Sequence, residues 1–133
     1  MQKEIEAKFC DIDLEDIRSK LKALGAELIR PMQSMIRASI DNPMMKKKDA
    51  FVRIRDEGDK VVMTYKQFDE LSIGGVKEIE VEVSDFQKTV DIFKESGLEP
   101  KSIQESKRES WEFMGCQIEL DEWPWLKPYM EIE

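Results

Sequence analysis

The sequence predicts an α+β fold, with about eight strands in a mainly antiparallel sheet and two helices. Three observations predict this class. Apolar and charged residues alternate with a period of two along most of the chain, which is the period of a strand with one buried face. Turn signals at Glu57-Gly58-Asp59 and Met114-Gly115 separate neighbouring segments and indicate hairpins. Only two segments have helical spacing, so hairpins dominate over strand-helix-strand crossovers.

Composition limits the kinds of protein that this chain can be. Its 133 residues, of which 41% are hydrophobic and 38% charged, fit one domain spanning 1–133. No run reaches the roughly 18 apolar residues of a membrane span. The first residues also lack the apolar core of a signal peptide, so we expect a cytoplasmic protein without a membrane segment.

Charge and residue types disfavour several kinds of site. The sequence contains no histidine and only two well-separated cysteines, Cys10 and Cys116, which disfavours zinc sites, Ser-His catalysis and a disulfide framework. The net charge of −8 disfavours a nucleic-acid surface, because phosphate backbones are bound by positive patches. An anionic ligand would therefore need a locally basic or metal-bridged site.

The first predicted strand has the charged face Glu4-x-Glu6-x-Lys8, with apolar residues on its other face. A helix follows, with Asp13 as its N-cap and Gly25 at the C′ position. Its apolar stripe consists of Leu14, Ile17, Leu21 and Leu24.

The second predicted strand is Met35–Asp41, and its charged face begins with Arg37. We expect Pro31 to break the chain before this strand. Asn42-Pro43 then predicts a turn. The following Met44-Met45-Lys46-Lys47-Lys48 is interpreted as a mobile basic loop, and a solvated loop is favoured over a segment that steers phosphate.

A hairpin of two cationic strands comes next. Its arms are Ala50–Arg55 and Val61–Lys66, joined by the turn at residues 57–59. The charged faces of the two arms carry Arg53, Arg55 and Lys66.

An acidic strand follows a polar connection. Residues 67–75 end in Gly74-Gly75, which predicts a flexible link. The next predicted strand, Glu78–Val83, places Glu78, Glu80 and Glu82 on one face. Three carboxylates on one strand face repel one another unless solvent, cations or a metal compensate.

The second predicted helix begins with a capping-box signature, Ser84 followed by Gln87, and ends near Gly97. Its apolar stripe consists of Phe86, Val90 and Phe93. The chain thus repeats its opening pattern of a carboxylate-bearing strand followed by a capped helix.

The last three predicted strands carry charges of both signs. Ser102–Phe113 carries Arg108, and its hairpin partner carries Glu119 and Asp121. Trp123-Pro124-Trp125 and Pro128 predict a stiff connection. The final strand carries Glu131 and Glu133.

The charged faces sort by sign. The carboxylates are Glu4, Glu6, Glu78, Glu80, Glu82, Glu119, Asp121, Glu131 and Glu133. The cations, mostly on other strands, are Lys8, Arg37, Arg53, Arg55, Lys66 and Arg108. If the sheet closes with these faces inward, its anionic and cationic walls suit a polyphosphate held by arginines and by Mg²⁺ or Mn²⁺. Alternation alone does not exclude an open sheet with the charges in water.

Seven motifs in order give the chain a family resemblance. They are Glu4-x-Glu6-x-Lys8, Arg53-x-Arg55, Thr64-Tyr65-Lys66, Lys77-Glu78-Ile79-Glu80, Arg108, Ile118-Glu119-Leu120-Asp121 and Glu131-Ile132-Glu133. With them the chain resembles the CYTH family, the triphosphate tunnel metalloenzymes, which include class IV adenylyl cyclases, thiamine triphosphatases and inorganic triphosphatases. The resemblance implies a closed or nearly closed eight-stranded antiparallel tunnel, with a charged interior and helices outside.

The resemblance also implies roles for the charged residues. The predicted ligands of Mg²⁺ or Mn²⁺ are Glu4, Glu6, Asp121, Glu131 and Glu133, with Glu80 and Glu119 in support. The predicted triphosphate ligands are Lys8, Arg37, Arg53, Arg55, Lys66 and Arg108. Glu4, Glu6 and Lys8 are the predicted catalytic residues, and a phosphate-binding role is favoured for Lys8 over that of a base. Tyr129 shares the face of Glu131, where end-of-strand packing is favoured.

Three functions follow from the resemblance. Metal-dependent hydrolysis of a triphosphate is favoured, and the alternatives are a class IV adenylyl cyclase and a non-catalytic triphosphate-binding module. The resemblance implies that family members usually continue into helical structure after the last Glu-x-Glu strand, so we expect a domain that is short at its C-terminus. Two helices leave much apolar sheet surface uncovered, which predicts a homodimer.

Overall fold

The computed structural model describes residues 2–68 and 75–133, apart from the side chains of Gln2 and Glu4. The flexible link predicted at residues 67–75 falls largely on 69–74, which lie outside the described residues. Among the described residues, no helix is long and apolar enough to cross a membrane.

Strands dominate the described chain. The elements are β1 (Gln2–Ile5), β2 (Ala7–Phe9), α1 (Leu14–Leu24), β3 (Glu27–Ile40), α2 (Pro43–Lys47), β4 (Ala50–Asp56), β5 (Val61–Phe68), β6 (Gly75–Val83), α3 (Phe86–Glu95), β7 (Ser102–Phe113), β8 (Cys116–Trp123) and β9 (Leu126–Ile132). The pairings of β1, β5 and β6, of β3 and β4, and of β7, β8, β9 and β2 are all antiparallel. The predicted α+β class with a mainly antiparallel sheet is confirmed.

The residues divide into two compact units. The first unit is Met1–Ile5 with Met35–Glu105, and the second is Glu6–Ser34 with Ser106–Glu133. Strand order is β1-β6-β5-β4-β3 in the first unit and β7-β8-β9-β2 in the second. The neighbouring strands β3 and β7 each contribute residues to both units.

In the first unit, α3 covers the apolar face of the sheet. Ala38, Ile40 and Ile54 pack against Val90 of α3, and all four are fully buried. Because alternate residues of a strand point to opposite faces, this contact assigns Arg37, Arg53 and their neighbours to the face that α3 does not cover.

In the second unit, α1 packs on the apolar face of β7 and β8. The core is formed by Leu21, Trp111, Ile118 and Leu120. Arg18 of α1 adds a polar anchor, because its guanidinium lies 3.0 Å from Glu109, which also accepts the indole N–H of Trp111. These two contacts compensate for the burial of the Glu109 carboxylate, which is 5% exposed. The predicted caps of α1 are confirmed, with Asp13 accepting from the Asp16 amide and Gly25 at φ 82°.

The predicted first strand is divided in two. Glu6 separates β1 from β2, and the two short strands have different partners, β6 and β9. A single ladder would require one partner along its whole length, so the chain leaves strand conformation where the partner changes.

The predictions for Pro31 and for the basic loop are wrong. β3 begins at Glu27 and runs through Pro31. This proline lies outside Ile36–Ile40, the segment paired with β4, so its missing N–H breaks no bond of that ladder. The basic loop contains α2, which has Asn42 as its N-cap and Pro43 in its first turn.

Two later boundaries also differ from prediction. The N-cap of α3 is Asp85 and not the predicted Ser84. The Asp85 carboxylate accepts the backbone N–H of Lys88 at 2.7 Å. A carboxylate at this position satisfies an otherwise unpaired amide and also favours the helix dipole. The last strand starts at Leu126, so Pro128 lies within it and not in a connection.

Candidate functional site

A group of basic side chains lies on one face of the first unit. This cationic face consists of Arg37, Arg53, Arg55 and Lys66. The register explains the grouping, since Arg37 lies opposite Arg55 across β3 and β4, while Arg53 lies opposite Thr64 across β4 and β5. Opposed residues in an antiparallel pair point to the same face, so the ladder gathers these cations.

Two arginines of the cationic face are buried and its other two cations are half-buried, although this face does not pack on α3. Only 8% of Arg37 and 7% of Arg55 is exposed, and Thr64 beside them is 1% exposed. An open sheet with its charges in water would leave such side chains solvated. Burial of the arginines therefore excludes the open-sheet alternative for this face.

Carboxylates offset part of the charge on this face. The Arg55 guanidinium contacts the Glu57 carboxylate through Nη2 at 2.8 Å and through Nε at 2.9 Å. Thr64 lies opposite Glu80 and donates to it over 3.4 Å, while Glu80 itself is exposed. Arg37 and Arg55 are like charges at opposed positions, and Glu57 offsets the charge of Arg55 in part.

Buried carboxylates form the corresponding group in the second unit. This carboxylate row consists of Glu119, Asp121 and Glu131. Glu119 lies opposite Glu131 across β8 and β9, and Asp121 lies opposite Arg108 across β7 and β8. Glu119 is 3% exposed and Asp121 is 1% exposed. Such burial of charged groups requires compensation by a cation.

Arg108 supplies a compensating charge. Its Nε donates to Asp121 Oδ1 at 2.7 Å and its Nη2 to Oδ2 at 2.9 Å, which is the paired geometry of an arginine-carboxylate fork. The same guanidinium lies 3.5 Å from Glu131 and 3.8 Å from Glu119. Burial disfavours the charge on Arg108, but the hydrogen bonds to Asp121 and the charges of the other two carboxylates outweigh it and raise its pKa.

One guanidinium does not balance three carboxylates. Burial raises the pKa of Glu131 to about 7; Arg108 acts against this shift, and the charges of Asp121 and Glu6 add to it. Glu119 accepts hydrogen bonds from Ser110 and Gln117, which further satisfy its oxygens. The carboxylate row thus has an excess of negative charge that another cation would relieve.

Lys8 lies over an aromatic ring. Its Nζ is 4.2 Å from the centre of the Tyr129 ring, a distance at which the ring attracts an ammonium. Trp123 donates its indole N–H to the Tyr129 hydroxyl at 2.8 Å, so the ring is held from its far end. Burial, together with the charge of Asp121, raises the pKa of Tyr129 and keeps its hydroxyl protonated. The second unit therefore positions Lys8 beside Glu131, its register partner.

The carboxylate row has the donor chemistry of a magnesium or manganese site. Hard divalent cations prefer carboxylate oxygens, and the row brings the carboxylates of Glu119, Asp121 and Glu131 around one guanidinium. Among the described residues, no group of three or more acidic, histidine or cysteine side chains is arranged to hold an ion. The oxygen ligands and the negative charge of the carboxylate row suit a divalent metal ion. The Arg108 guanidinium contacts the same oxygens.

The carboxylate row does not include the other four predicted metal ligands. The Glu4 side chain lies outside the described residues, and Glu6 is half-buried between β1 and β2. Glu133 is exposed beyond β9, where its backbone bonds that of Gln117. Glu80 belongs to the first unit with the cationic face. The metal-ligand set thus stays a prediction.

Sequence reasoning missed several partners of these charges. Ser110 follows Arg108 by two residues and Thr64 precedes Lys66 by two, so alternation places each on the face of its charged neighbour but assigns neither a role. Glu57 lay in a predicted turn, although it follows Arg55 by two residues and so continues the same phase. Alternation can identify the face of a side chain, but not its hydrogen-bond partner.

The family model described as "CYTH domain" matches residues 2–133. The chain belongs to the CYTH domain family. Members of this family are typically triphosphatases or cyclases, and its triphosphate tunnel metalloenzymes use divalent metals. The resemblance inferred from the seven sequence motifs is confirmed.

Several solved structures have a similar fold. A conserved hypothetical protein from Pyrococcus furiosus is 25% identical, with a TM-score of 0.83 over 98% of this chain and 77% of that one. A candidate adenylate cyclase from Vibrio parahaemolyticus is 12% identical, with a TM-score of 0.86 over 98% and 75%. A candidate adenylyl cyclase from Hippeastrum, described as having a dominant triphosphatase activity, is 19% identical, with a TM-score of 0.65 over 99% and 79%. No curated protein matches the chain in sequence.

Proposed function

We propose that this CYTH chain hydrolyses a triphosphate in a divalent-metal-dependent reaction. The observation that carries the proposal is the burial of the cationic face, where Arg37 and Arg55 oppose each other at under a tenth of full exposure. Glu57 offsets the charge of Arg55 in part, while Arg55 Nη1 is buried without a hydrogen-bond partner among the described residues, and a phosphate oxygen would accept from it. The candidate substrates are inorganic triphosphate, thiamine triphosphate and nucleoside triphosphates. The activity described for the Hippeastrum protein agrees with this class of reaction.

The cationic face supplies phosphate ligands. Guanidinium groups donate to phosphate oxygens in pairs and stay charged, so Arg37, Arg53 and Arg55 bind the triphosphate and stabilise charge on its leaving group. Lys66 adds a point charge to the same face. Lys8 is assigned to phosphate binding, because its contact with Tyr129 fixes the direction of its ammonium.

The carboxylate row would hold the metal. Glu119, Asp121 and Glu131 are the proposed ligands, with Glu4, Glu6, Glu80 and Glu133 as further members of the predicted set. Mg²⁺ or Mn²⁺, when bound, supplies Lewis acidity and neutralises phosphate charge. Arg108 balances the row in the metal-free chain and is then available as a further phosphate ligand.

Phosphorus NMR of a substrate panel tests the proposal. Inorganic triphosphate, thiamine triphosphate and ATP are each incubated with the chain and Mn²⁺ or Mg²⁺. We expect orthophosphate from at least one substrate, and a loss of at least about 100-fold in rate for Arg53→Gln. The matched control is Arg30→Gln, an arginine outside the cationic face. No turnover above that of a Glu4→Gln, Glu6→Gln double variant would refute the proposal.

The same spectra separate the alternatives. Pyrophosphate and cyclic AMP formed from ATP would identify a cyclase, the activity named for the Vibrio parahaemolyticus neighbour. Tight binding of a triphosphate without any product would identify a binding module.

We also infer a homodimer. Ile79 and Val81 on the outer face of β6 are 55% and 50% exposed, and α3 covers a different part of the sheet. Exposed β-branched residues on one strand are an unfavourable surface for a monomer. Sedimentation velocity should show a dimer that Val81→Lys dissociates, whereas a monodisperse wild-type monomer at high concentration would contradict the inference.

A further inference from the structure

One guanidinium reaches all three side chains of the carboxylate row. Arg108 Nε is 2.7 Å from Asp121 and 3.8 Å from Glu119, and Arg108 Nη2 is 3.5 Å from Glu131. These distances are longer than the roughly 2.0–2.1 Å at which oxygen ligands bind Mg²⁺. The row is therefore spaced for an arginine, which accounts for the lack of an ion-holding acidic group within residues 2–68 and 75–133.

The guanidinium and a divalent ion compete for the same oxygens. Both oxygens of Asp121 already accept from Arg108. An ion bound by Asp121 and either glutamate would also lie beside the guanidinium, and like charges repel strongly where little water screens them. Asp121 and Glu119 are 1% and 3% exposed, so water screens the row poorly. The row therefore holds either Arg108 or the ion.

The carboxylate row alone anchors the Arg108 guanidinium within the part of the chain that the structure describes. All the hydrogen bonds and ion pairs of this group go to Asp121, Glu119 and Glu131. The Arg108 side chain is 15% exposed, so solvent reaches it. A cation that neutralises the row thus removes everything that holds the guanidinium in place.

Contacts other than those of Arg108 keep the row grouped. The Ser110 hydroxyl and the Gln117 side-chain amide both donate to the Glu119 carboxylate. Backbone pairing of β8 with β9 sets Glu119 opposite Glu131. Departure of Arg108 therefore leaves the carboxylates together and open to another cation.

We propose that Arg108 is an exchangeable counter-ion of the carboxylate row, which competes with the divalent ion and sets the affinity of the row for it. Arg108 occupies the row in the free chain and leaves the row when the ion binds. The inference deepens the proposed function and rests on it, because the row must be the metal site. It predicts that removing Arg108 tightens metal binding, whereas removing a residue with only a structural role would not.

Electron paramagnetic resonance of free Mn²⁺ measures the affinity of the row without any turnover. The titration is made at pH 8, above the Glu131 pKa of about 7, so that a proton on Glu131 does not compete with the ion. We expect Arg108→Met to lower the Kd of Mn²⁺ by about 10- to 100-fold, because the ion no longer has to displace the hydrogen bonds of a charged fork.

Two further variants make the result specific. Arg108→Lys keeps the charge but replaces the fork with a single point charge, and should lower the Kd by about threefold or more. This variant decides the test if Arg108→Met does not fold. Lys107→Met removes the same charge at the adjacent exposed position and is the matched control, and its Kd should stay within about twofold of the wild-type value.

Nitrogen NMR of the wild-type chain observes the exchange directly. The Nε–H of Arg108 donates to Asp121 over 2.7 Å, and its resonance is assigned by its loss in Arg108→Lys. We expect saturating Mg²⁺ to move this proton resonance upfield and to speed its exchange with water, since a hydrogen bond to a carboxylate is lost.

The outcomes separate this inference from the proposed function. Equal Kd values for the wild type and both Arg108 variants, or an unchanged Nε–H resonance at saturating Mg²⁺, would overturn the inference and leave metal-dependent hydrolysis intact. Failure of the wild type and of both Arg108 variants to bind Mn²⁺ would overturn the inference together with the metal dependence of the proposed function.

Discussion

Arg108 controls the stability of the carboxylate row in the metal-free chain. Its fork on Asp121 and its contacts with Glu119 and Glu131 join three acidic side chains through one buried guanidinium. Removing one partner from such a group leaves charge buried without compensation.

We therefore predict that Arg108→Met destabilises the metal-free chain by about 3–5 kcal/mol. The measurement is urea unfolding near neutral pH in EDTA. Lys107→Met at the adjacent exposed position is the control, and its effect should be near zero. Adding Asp121→Asn to the Arg108 variant should restore part of the loss, and purely additive effects would contradict the coupling.

Glu131 makes stability depend on pH. Its folded pKa of about 7 lies above its ordinary value of 4.5, so the folded chain binds this proton more tightly than the unfolded chain does. The resulting stabilisation is complete below the unfolded pKa and is lost as pH rises through 7.

We expect the change in unfolding free energy caused by Glu131→Gln in the metal-free chain to be more stabilising at pH 8 than at pH 5, by about 1–3 kcal/mol. The measurement is the difference in unfolding free energy between variant and wild type at the two pH values. The control Glu112→Gln, at an exposed position of β7, should show no such pH-dependent difference. A difference that is constant with pH would contradict the raised pKa.

At the scale of elements, the cap of α3 shows how a local ambiguity is resolved. Ser84 and Asp85 both precede the helix and both are good capping residues. Only Asp85 accepts the amide of Lys88, and its own carbonyl accepts the Thr89 hydroxyl.

Asp85→Ala should therefore cost about 1 kcal/mol of stability, while Ser84→Ala should cost close to nothing. Thermal or urea unfolding of the two variants measures the contrast. Equal losses, or the larger loss for Ser84→Ala, would show that the helix begins one residue earlier.

Strand alternation predicted most of the sheet because the apolar faces of β3, β4, β7 and β8 pack on helices. The contact of Val90 with Ile54 is an example of that match. The break at Glu6 could not be predicted, since it depends on a change of pairing partner rather than on any local residue. The prediction for Pro31 was wrong for a related reason, because the cost of a proline in a strand depends on which strand faces its missing N–H.

For the candidate site, the sequence predicted which face each charged residue lies on but not the contacts that the residue makes. Alternation and the family resemblance assigned Arg37, Arg53 and Arg55 to one face, and the register groups them. They did not predict that Glu57 pairs with Arg55 or that Tyr129 lies under Lys8. Those contacts join side chains from turns or different strands, so their geometry exists only in the folded chain.

At the scale of the whole molecule, metal binding should be visible as stability. A ligand that binds only the folded chain stabilises it by about 2.7 kcal/mol at 100 times its Kd. We predict that Mn²⁺ raises the unfolding midpoint, and that Glu119→Gln abolishes most of the increase.

The midpoint is measured by differential scanning fluorimetry with and without Mn²⁺, with Ca²⁺ as a second ion. Glu122→Gln, next to the carboxylate row but outside it, is the control and should keep the wild-type response. An equal response in both variants would assign the metal to other residues.

The absence of histidine from the sequence makes this chain suited to proton counting. In most proteins imidazoles dominate proton uptake near neutral pH and hide the behaviour of any single carboxyl group. Here Glu131 titrates near pH 7 without that background. Isothermal titration in buffers of different ionisation enthalpy can then give the number of protons released when a divalent cation or triphosphate binds, and isotope-edited carboxyl spectra can assign them.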